Sequence, residues 1–336
     1  MKILLSDVAA RRHGDAIRAA APEAVLVPVP PEGPLPDAAG AEIAFISRDL
    51  FLGGTRHRLT DRFRRFIGLL GTAPDLRWVQ TFSAGTDLFV YREMLTRGLL
   101  LTTAAGASAP AVAQTAIAGL LALARQFPRI MEAQRRHAWE PLYGGAEPRD
   151  LAGQTALIIG TGPIGQEIGR LCRAFGLRSL GLRRDPTAGI PPGFEAVGGL
   201  ADLHDLLPQA EWLILACPLT DATRGLIDAR ALALLPRGAH LVDVSRGGVA
   251  VEADLLEALR SGHLAGAFLD VFGTEPLPAE SPFWGLPNVI VSPHSAAASD
   301  GLAARVAAIF CDNLGRWRRG EALRNLVALP LAAAGR

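Results

Sequence analysis

Lysine is almost absent from this chain. Lys2 is the only one among 336 residues, and every other basic residue is Arg or His. One lysine at the N-terminal edge is badly placed for Schiff-base chemistry, for a P-loop, or for service as the acid or base of a dehydrogenase. Cysteine is scarce as well. Cys172, Cys217 and Cys311 are far apart and lack any C-x-x-C spacing. They are too few for a disulfide framework or a cysteine zinc site, so no metal is expected and a reduced, cytoplasmic setting fits best. Long apolar runs are missing: none reaches the ~20 residues that span a bilayer. The opening "MKILLSDVAA" meets Asp7 early and reads as a first strand, not a signal peptide. Charge of one sign is also missing. The net charge is +1 and the charges are scattered, which gives no support for nucleic acid or membrane as a partner.

What is present is a globular α/β composition, with 49% of residues hydrophobic and 20% charged. The length favours two domains over one core. "KILLS", "AVLVPV", "EIAFIS", "RWVQTF" and "LLLTT" read as strands in the first hundred residues, with "DRFRRFIGLL" and "YREMLTRGLL" as helices between them. The Pro-rich "VPVPPEGPLPD" (27–37) reads as a surface connection. "APAVAQTAIAGLLALARQF" (109–127) is apolar nearly all round and reads as one long helix buried between domains. A second βα series runs through "TALIIG", "RSLGLRR", "EWLILACP", "AHLVDVS", "LAGAFLDVF" and "NVIVSP", and a last helix follows at about 299–319. Repeated βα order predicts parallel sheets covered by helices. The layout predicts a cofactor domain inserted into another domain.

"ALIIGTGPIGQEIGR" places Gly160, Gly162 and Gly165 directly after a strand and at the start of a helix. Gly160 permits the tight turn, Gly162 a close approach to a pyrophosphate, and Gly165 close helix–strand packing. The helix N-terminus then offers free N–H groups to phosphate. The next strand ends in "SLGLRRDP". NAD binders usually place an acid there for the ribose 2′-hydroxyl. Here Leu182 is followed by Arg183 and Arg184, which suit a 2′-phosphate. Asp185, one or two residues on, keeps the acidic alternative open. The reading favours NADP, with NAD as the alternative.

Three ionisable residues follow later strands: Arg246 after "LVDVS", Glu275 in "GAFLDVFGTEPLP", and His294 in "NVIVSPHSAAAS". The carboxyl ends of strands in an open parallel sheet all face the ligand crevice. Arg246 can grip a carboxylate bidentately. His294 can exchange the proton that accompanies a hydride. Glu275 can orient His294 and favour its protonated form. Arg246 can equally pair with Asp243 or Asp270 as a structural ion pair.

On these segments, with "CPLTDATRGLID" and "SPFWGLPNVIVSPHSAAAS", residues 140–300 resemble the D-isomer-specific 2-hydroxyacid dehydrogenase family, in particular its glyoxylate/hydroxypyruvate reductases. The likeness extends more loosely to "FSAGTD" (82–87) and the long helix. It implies an α/β protein of two Rossmann-like domains. Residues 1–103 and 298–336 would form a flavodoxin-like substrate domain. Inserted into it, residues 104–297 would form a doubly wound, parallel-sheet NAD(P)-binding domain. It also implies a homodimer acting on a small 2-keto or 2-hydroxy acid.

Arg246, Glu275 and His294 fall on the family's catalytic arginine, glutamate and histidine. Ala84 and Gly85 fall in the loop whose backbone holds the substrate carboxylate, and Asp270 falls on an acid near the nicotinamide. The resemblance carries Thr161, Pro163, Ile164, Cys217, Pro218, Thr223, Val244 and Ser295 as further cofactor contacts. Gln114 stands where the family often has Glu, and Asp243 where Asn is common. Formate dehydrogenases look similar but carry Gln at the position of Glu275. A rival of another class is a dinucleotide-sensing scaffold without turnover, such as a corepressor. The substrate side chain would be read around "SRDLFLGG" (47–54) and "FSAGTD" (82–87), with a residue from a partner subunit as a further candidate; Arg48 can meet a second acidic group or simply face solvent.

Overall fold

The computed structural model describes residues 1–54, 58–86, 88–144 and 147–327. The chain divides into two compact units, one of residues 1–108 and 299 onward, the other of residues 109–298.

The first unit is a five-stranded parallel sheet. Its strands are β1 (Lys2–Ser6), β2 (Val25–Val29), β3 (Ala41–Ile46), β4 (Trp78–Thr81) and β5 (Leu100–Thr102), in the order β2-β1-β3-β4-β5. Ile3, Leu4 and Leu5 are fully buried, as a central strand covered on both faces requires. β2 lies at the edge, where Pro28 removes no needed ladder bond, so Val27–Val29 is strand and the surface connection starts after it. The helix read in "YREMLTRGLL" is Phe89–Thr96; Gly98 at φ 79° then turns the chain into β5. The last helix, Leu302–Arg319, is sewn into this sheet. Phe310 stacks on Phe45 with centroids 4.5 Å apart, and Asn313 Nδ2 donates to Gln80 Oε1 at 3.1 Å.

The second unit is a seven-stranded parallel sheet. It comprises β6 (Thr155–Ile159), β7 (Arg178–Arg183), β8 (Ala196–Gly199), β9 (Trp212–Leu215), β10 (Ala239–Asp243), β11 (Leu264–Leu269) and β12 (Val289–Val291). The order β12-β11-β10-β9-β6-β7-β8 reverses between β6 and β9, the switch point at which such sheets open a crevice. The apolar stretch 109–127 is not one helix. Ala109–Ala124 ends before Gln126, which adopts φ 55°, and a new helix, Phe127–Arg135, starts with Pro128 in its first turn. Ala109–Ala124 is buried within this unit, its Val112, Ala116 and Leu120 packing with Ile158, Ile168 and Phe268. A Cβ on Gly119 would lie 2.4 Å from the Phe268 ring, so glycine sets how closely helix and sheet approach.

Candidate active site

The glycine turn after β6 is built as its spacing requires. Gly160 adopts φ 104°, and a Cβ there would meet the Ala216 carbonyl oxygen at 2.6 Å. A Cβ on Gly165 would lie 1.8 Å from the Gly160 carbonyl oxygen. Gly162 differs: a Cβ there meets nothing within 4 Å. That open space lies at the start of the Pro163–Ala174 helix, whose N-cap is Gly162 and whose first residues are Pro163 and Ile164. Thr161 is buried, and its carbonyl accepts from Gln166 Nε2 at 2.9 Å. A turn with open space in front of free helix N–H groups fits a pyrophosphate.

At the end of β7, Arg183 is half-buried. Its Nη2 donates to the carbonyls of Pro186 and Gly189, while its Nε is buried without a partner. Arg184 is exposed. Asp185 caps the next turn, its Oδ1 accepting from Thr187 N at 2.9 Å and Thr187 Oγ1 at 2.6 Å. Those bonds hold its carboxyl below the usual range. After β9, Cys217 is buried and Pro218 exposed. The Pro218 carbonyl accepts from Thr223 Oγ1 at 2.7 Å, and Thr223 Oγ1 accepts from Thr220 N at 2.8 Å, which fixes this turn.

The ends of β10, β11 and β12 carry the charged groups. Val244 continues the ladder, its N–H donating to Leu215 O at 3.1 Å. Asp243 Oδ1 accepts from Ser245 N at 2.9 Å and Ser245 Oγ at 2.5 Å. Arg246 Nη1 donates to the Ser245 carbonyl at 2.7 Å. Gly247 then passes so close to the loop after β11 that a Cβ would lie 2.0 Å from the Phe272 carbonyl carbon and oxygen. That loop carries Glu275. Its Oε1 accepts from Phe272 N at 3.1 Å, and its Oε2 lies 2.8 Å from His294 Nδ1. A carboxylate only accepts, so Nδ1 carries the proton and Nε2 is the ring atom left to exchange one. His294 adopts φ 52°, a left-handed conformation uncommon outside glycine. Asp270 pins the backbone beside it: Oδ1 accepts from Ser292 Oγ at 2.5 Å and Ser295 N at 2.8 Å, and Oδ2 from Ala296 N at 3.0 Å.

The structure thus joins Glu275 to His294 directly, and the Arg246 turn to the Glu275 loop through Gly247. Ala84 and Gly85 lie in the first unit, on the turn after β4, where Ser83 Oγ donates to the Gly85 carbonyl at 2.7 Å. Asp87 of the same motif lies outside the described residues. Ser245 and Ser292 were not singled out from sequence, although each lies within two residues of Arg246 or His294. Among the described residues no group of His, Cys, Asp or Glu could hold a metal, and no helix is long and apolar enough to cross a membrane.

Residues 117–296 match the sequence model of the D-isomer specific 2-hydroxyacid dehydrogenase NAD-binding domain. A glyoxylate reductase of Korarchaeum cryptofilum is 36% identical over 267 residues, covering 76% of this chain and 77% of that one. A D-isomer specific 2-hydroxyacid dehydrogenase of Xanthobacter autotrophicus Py2, solved with NADPH and MES, superposes with a TM-score of 0.78 at 30% identity, covering 97% of both chains. The NADPH-dependent glyoxylate/hydroxypyruvate reductase of Sinorhizobium meliloti, solved with NADP and sulfate, gives a TM-score of 0.74 at 28% identity, covering 97% of this chain and 98% of that one.

Proposed function

The chain belongs to the D-isomer specific 2-hydroxyacid dehydrogenases, NAD(P)-dependent oxidoreductases, and from that membership we propose that it reduces a small 2-keto acid of the glyoxylate or hydroxypyruvate type, with His294 as the proton donor. The observation that carries this reading is the 2.8 Å contact between His294 Nδ1 and Glu275 Oε2 at the strand ends next to the Arg246 turn. Gly160, Gly162 and Gly165 and the N-terminus of the following helix would hold the pyrophosphate. Cys217, Pro218, Thr223, Val244, Asp270 and Ser295 lie on the strand-end turns that would border the rest of the dinucleotide. Bound there, the reduced nicotinamide supplies the hydride that C2 of the keto acid accepts.

This chain's own residues do the remainder. Arg246 grips the substrate carboxylate. His294 Nε2 gives a proton to the oxygen at C2, and Glu275 holds the ring in place through Nδ1. The cofactor choice falls to NADP. Asp185 is engaged with Thr187 in its own turn, while Arg183 keeps a buried, unpartnered Nε and Arg184 faces solvent.

The same reading makes the protein a homodimer in the cytoplasm. Support for the dimer is the exposed apolar residues Phe127, Ile130 and Met131 on the Phe127–Arg135 helix, with Trp139 and Tyr143 exposed in the chain that follows. Support for the compartment is three unpaired cysteines.

The test is NADPH and NADH oxidation with glyoxylate, hydroxypyruvate, pyruvate, phenylpyruvate and 2-oxoglutarate, beside His294→Ala. Turnover that the variant loses supports the reading. Dinucleotide binding with no turnover on any keto acid points instead to a sensing scaffold.

A further inference from the structure

The first unit has a switch point of its own. Its strand order, β2-β1-β3-β4-β5, reverses between β1 and β3, and ligands of open parallel sheets lie outside the strand ends at such a reversal. A cavity of about 240 Å³ lies there. The helix after β1, Asp7–Ala20, gives it Arg12 and His13, and the turn after β3 gives it Ser47, Arg48 and Asp49. Asp300 and the first turn of the Leu302–Arg319 helix close it. Every lining residue belongs to the first unit, whereas the glycine turn, Arg246 and His294 belong to the second.

The floor of the cavity is apolar and its rim is charged. Ala9, Phe45 and Val306 are buried beneath it. Ser47 is buried as well, its Oγ donating to Asp49 Oδ1 at 2.6 Å and lying 3.0 Å from Ser6 Oγ, which ties the ends of β1 and β3 together. Both acids on the rim are engaged in their own turns: Asp49 with Ser47, and Asp300 with Gly301 N, which donates to its Oδ1 at 2.7 Å. The arginines are not. Arg11 pairs with Asp7 at 2.7 Å, but its neighbour Arg12 makes no hydrogen bond or ion pair among the described residues, and neither does Arg48. Burial and Arg12 push His13 below its ordinary value, against the pull of Asp49, so near pH 7 His13 is a neutral hydrogen-bonding group and the positive charge is that of the arginines. Two helices also begin here, Val8 and Ala9 lining from one and Leu302 and Ala303 from the other, and that end of a helix favours negative charge.

We propose that this cavity is a second ligand site, separate from the keto-acid and dinucleotide chemistry, which takes a small dianion with Arg12 and Arg48 as its two grips and His13 as a neutral hydrogen-bond donor. Guanidiniums bind carboxylate and phosphate oxygens in the same forked way, so a dicarboxylate and a phosphate group share the chemistry required. Size limits the choice further. Drug-sized ligands fill about 300–1,000 Å³, so the occupant here is smaller than those. The site stands whether or not the keto-acid reading does.

The experiment titrates the full chain with inorganic phosphate, succinate and acetate in a calorimeter at constant ionic strength. NADP is kept saturating, so that the anion sites of the dinucleotide are filled. Phosphate, succinate or both should bind once per chain with Kd at or below about 1 mM. Singly charged acetate should bind at least about tenfold more weakly. Arg12→Gln and Arg48→Gln should each weaken the dianion about 10- to 100-fold, while Arg246→Gln leaves it unchanged. Ala303→Leu fills the cavity without removing a charge and should weaken it too, with thermal melts confirming that each variant folds. Binding of phosphate alone assigns a phosphoryl ligand, and binding of succinate alone a dicarboxylate. Three results overturn the proposal: no saturable binding of either dianion, binding that survives Arg12→Gln and Arg48→Gln, or binding that Arg246→Gln abolishes.

Discussion

Gly247→Ala tests whether the turn of Arg246 and the loop of Glu275 work as one assembly. The added Cβ would sit 2.0 Å from the Phe272 carbonyl carbon and oxygen and 2.4 Å from Gly273 N. Carbon atoms reach favourable contact only near ~3.5 Å, so the two backbones must part by roughly 1.5 Å. Both clashing partners are main chain, and no flexible side chain can swing away. The displacement therefore reaches Arg246 on one side. On the other it reaches Phe272, whose N–H holds Glu275 Oε1 at 3.1 Å. Overpacking of this kind costs about 1–3 kcal/mol of stability. Misplacing reacting groups by about 1 Å costs about 100-fold in rate. The expected result is a loss of about 100-fold or more in kcat/KM for the keto acid. NADPH affinity, measured by fluorescence titration, should fall far less than kcat/KM, because the glycine turn after β6, which would hold the pyrophosphate, lies two strands away from β10. A variant that folds and retains kcat/KM within a few-fold of wild type would refute the coupling through Gly247.

Gly162→Val reverses that pattern: the new side chain enters space empty of protein atoms, so thermal stability should hold while NADPH affinity collapses in a titration. Replacing Arg183 and Arg184 together by Gln should shift the NADPH-over-NADH preference in kcat/KM by about 10- to 100-fold, since hydrogen bonds to charged groups are worth about 1.5–3 kcal/mol. His294→Ala should lower kcat by about 100- to 10,000-fold, the range for losing a general acid, with dinucleotide binding intact by titration. Asp243→Asn should stabilise the fold in a pH-dependent way followed by thermal melts. The unfolded chain ionises this aspartate from about 3.8, the folded chain only from about 7. The wild type therefore loses stability across that window and no further above it, and a gap of about 3 units at about 1.4 kcal/mol each gives the variant at most about 4 kcal/mol at neutral pH and nothing at pH 3.

The parts of this molecule that sequence discloses are those in which the local chain dictates its own geometry. Gly160 and Gly165 could be read because no other residue fits the turn they make. The placement of Arg246, Glu275 and His294 after neighbouring strands could be read because parallel strands deliver their carboxyl ends to one side. The break at Gln126 was missed because hydrophobicity runs straight through it; Pro128 was the signal, since proline is favoured in the first turn of a new helix. β8 was missed because Ala196–Gly199 carries only one β-branched residue and owes its place to pairing with β7. The proton on Asp243 had no local signal. It follows first from burial at the end of a central strand, to which Asp270, 27 positions away in the chain, adds a smaller push. Gly119 is legible only once Phe268 is known to lie beneath it.

Strand order explains why one side of this sheet can carry so much that is unfavourable. β10, β11 and β12 are neighbours in the sheet as well as in the chain. Parallel strands lie about 4.8 Å apart, so the turns after them start within about 10 Å of one another. Arg246, Asp270, Glu275 and His294 follow from that order with no long loop to position them. The same closeness brings a backbone contact that only Gly247 allows, and the same strand ends carry a left-handed histidine and two buried aspartates. Each feature works against the stability of the fold. They persist because the strands beneath them are anchored by side chains such as Leu213, Leu241 and Ala267, which are fully buried. A charged cluster on loops could relax by moving apart. On adjacent strand ends it cannot, and the groups stay together.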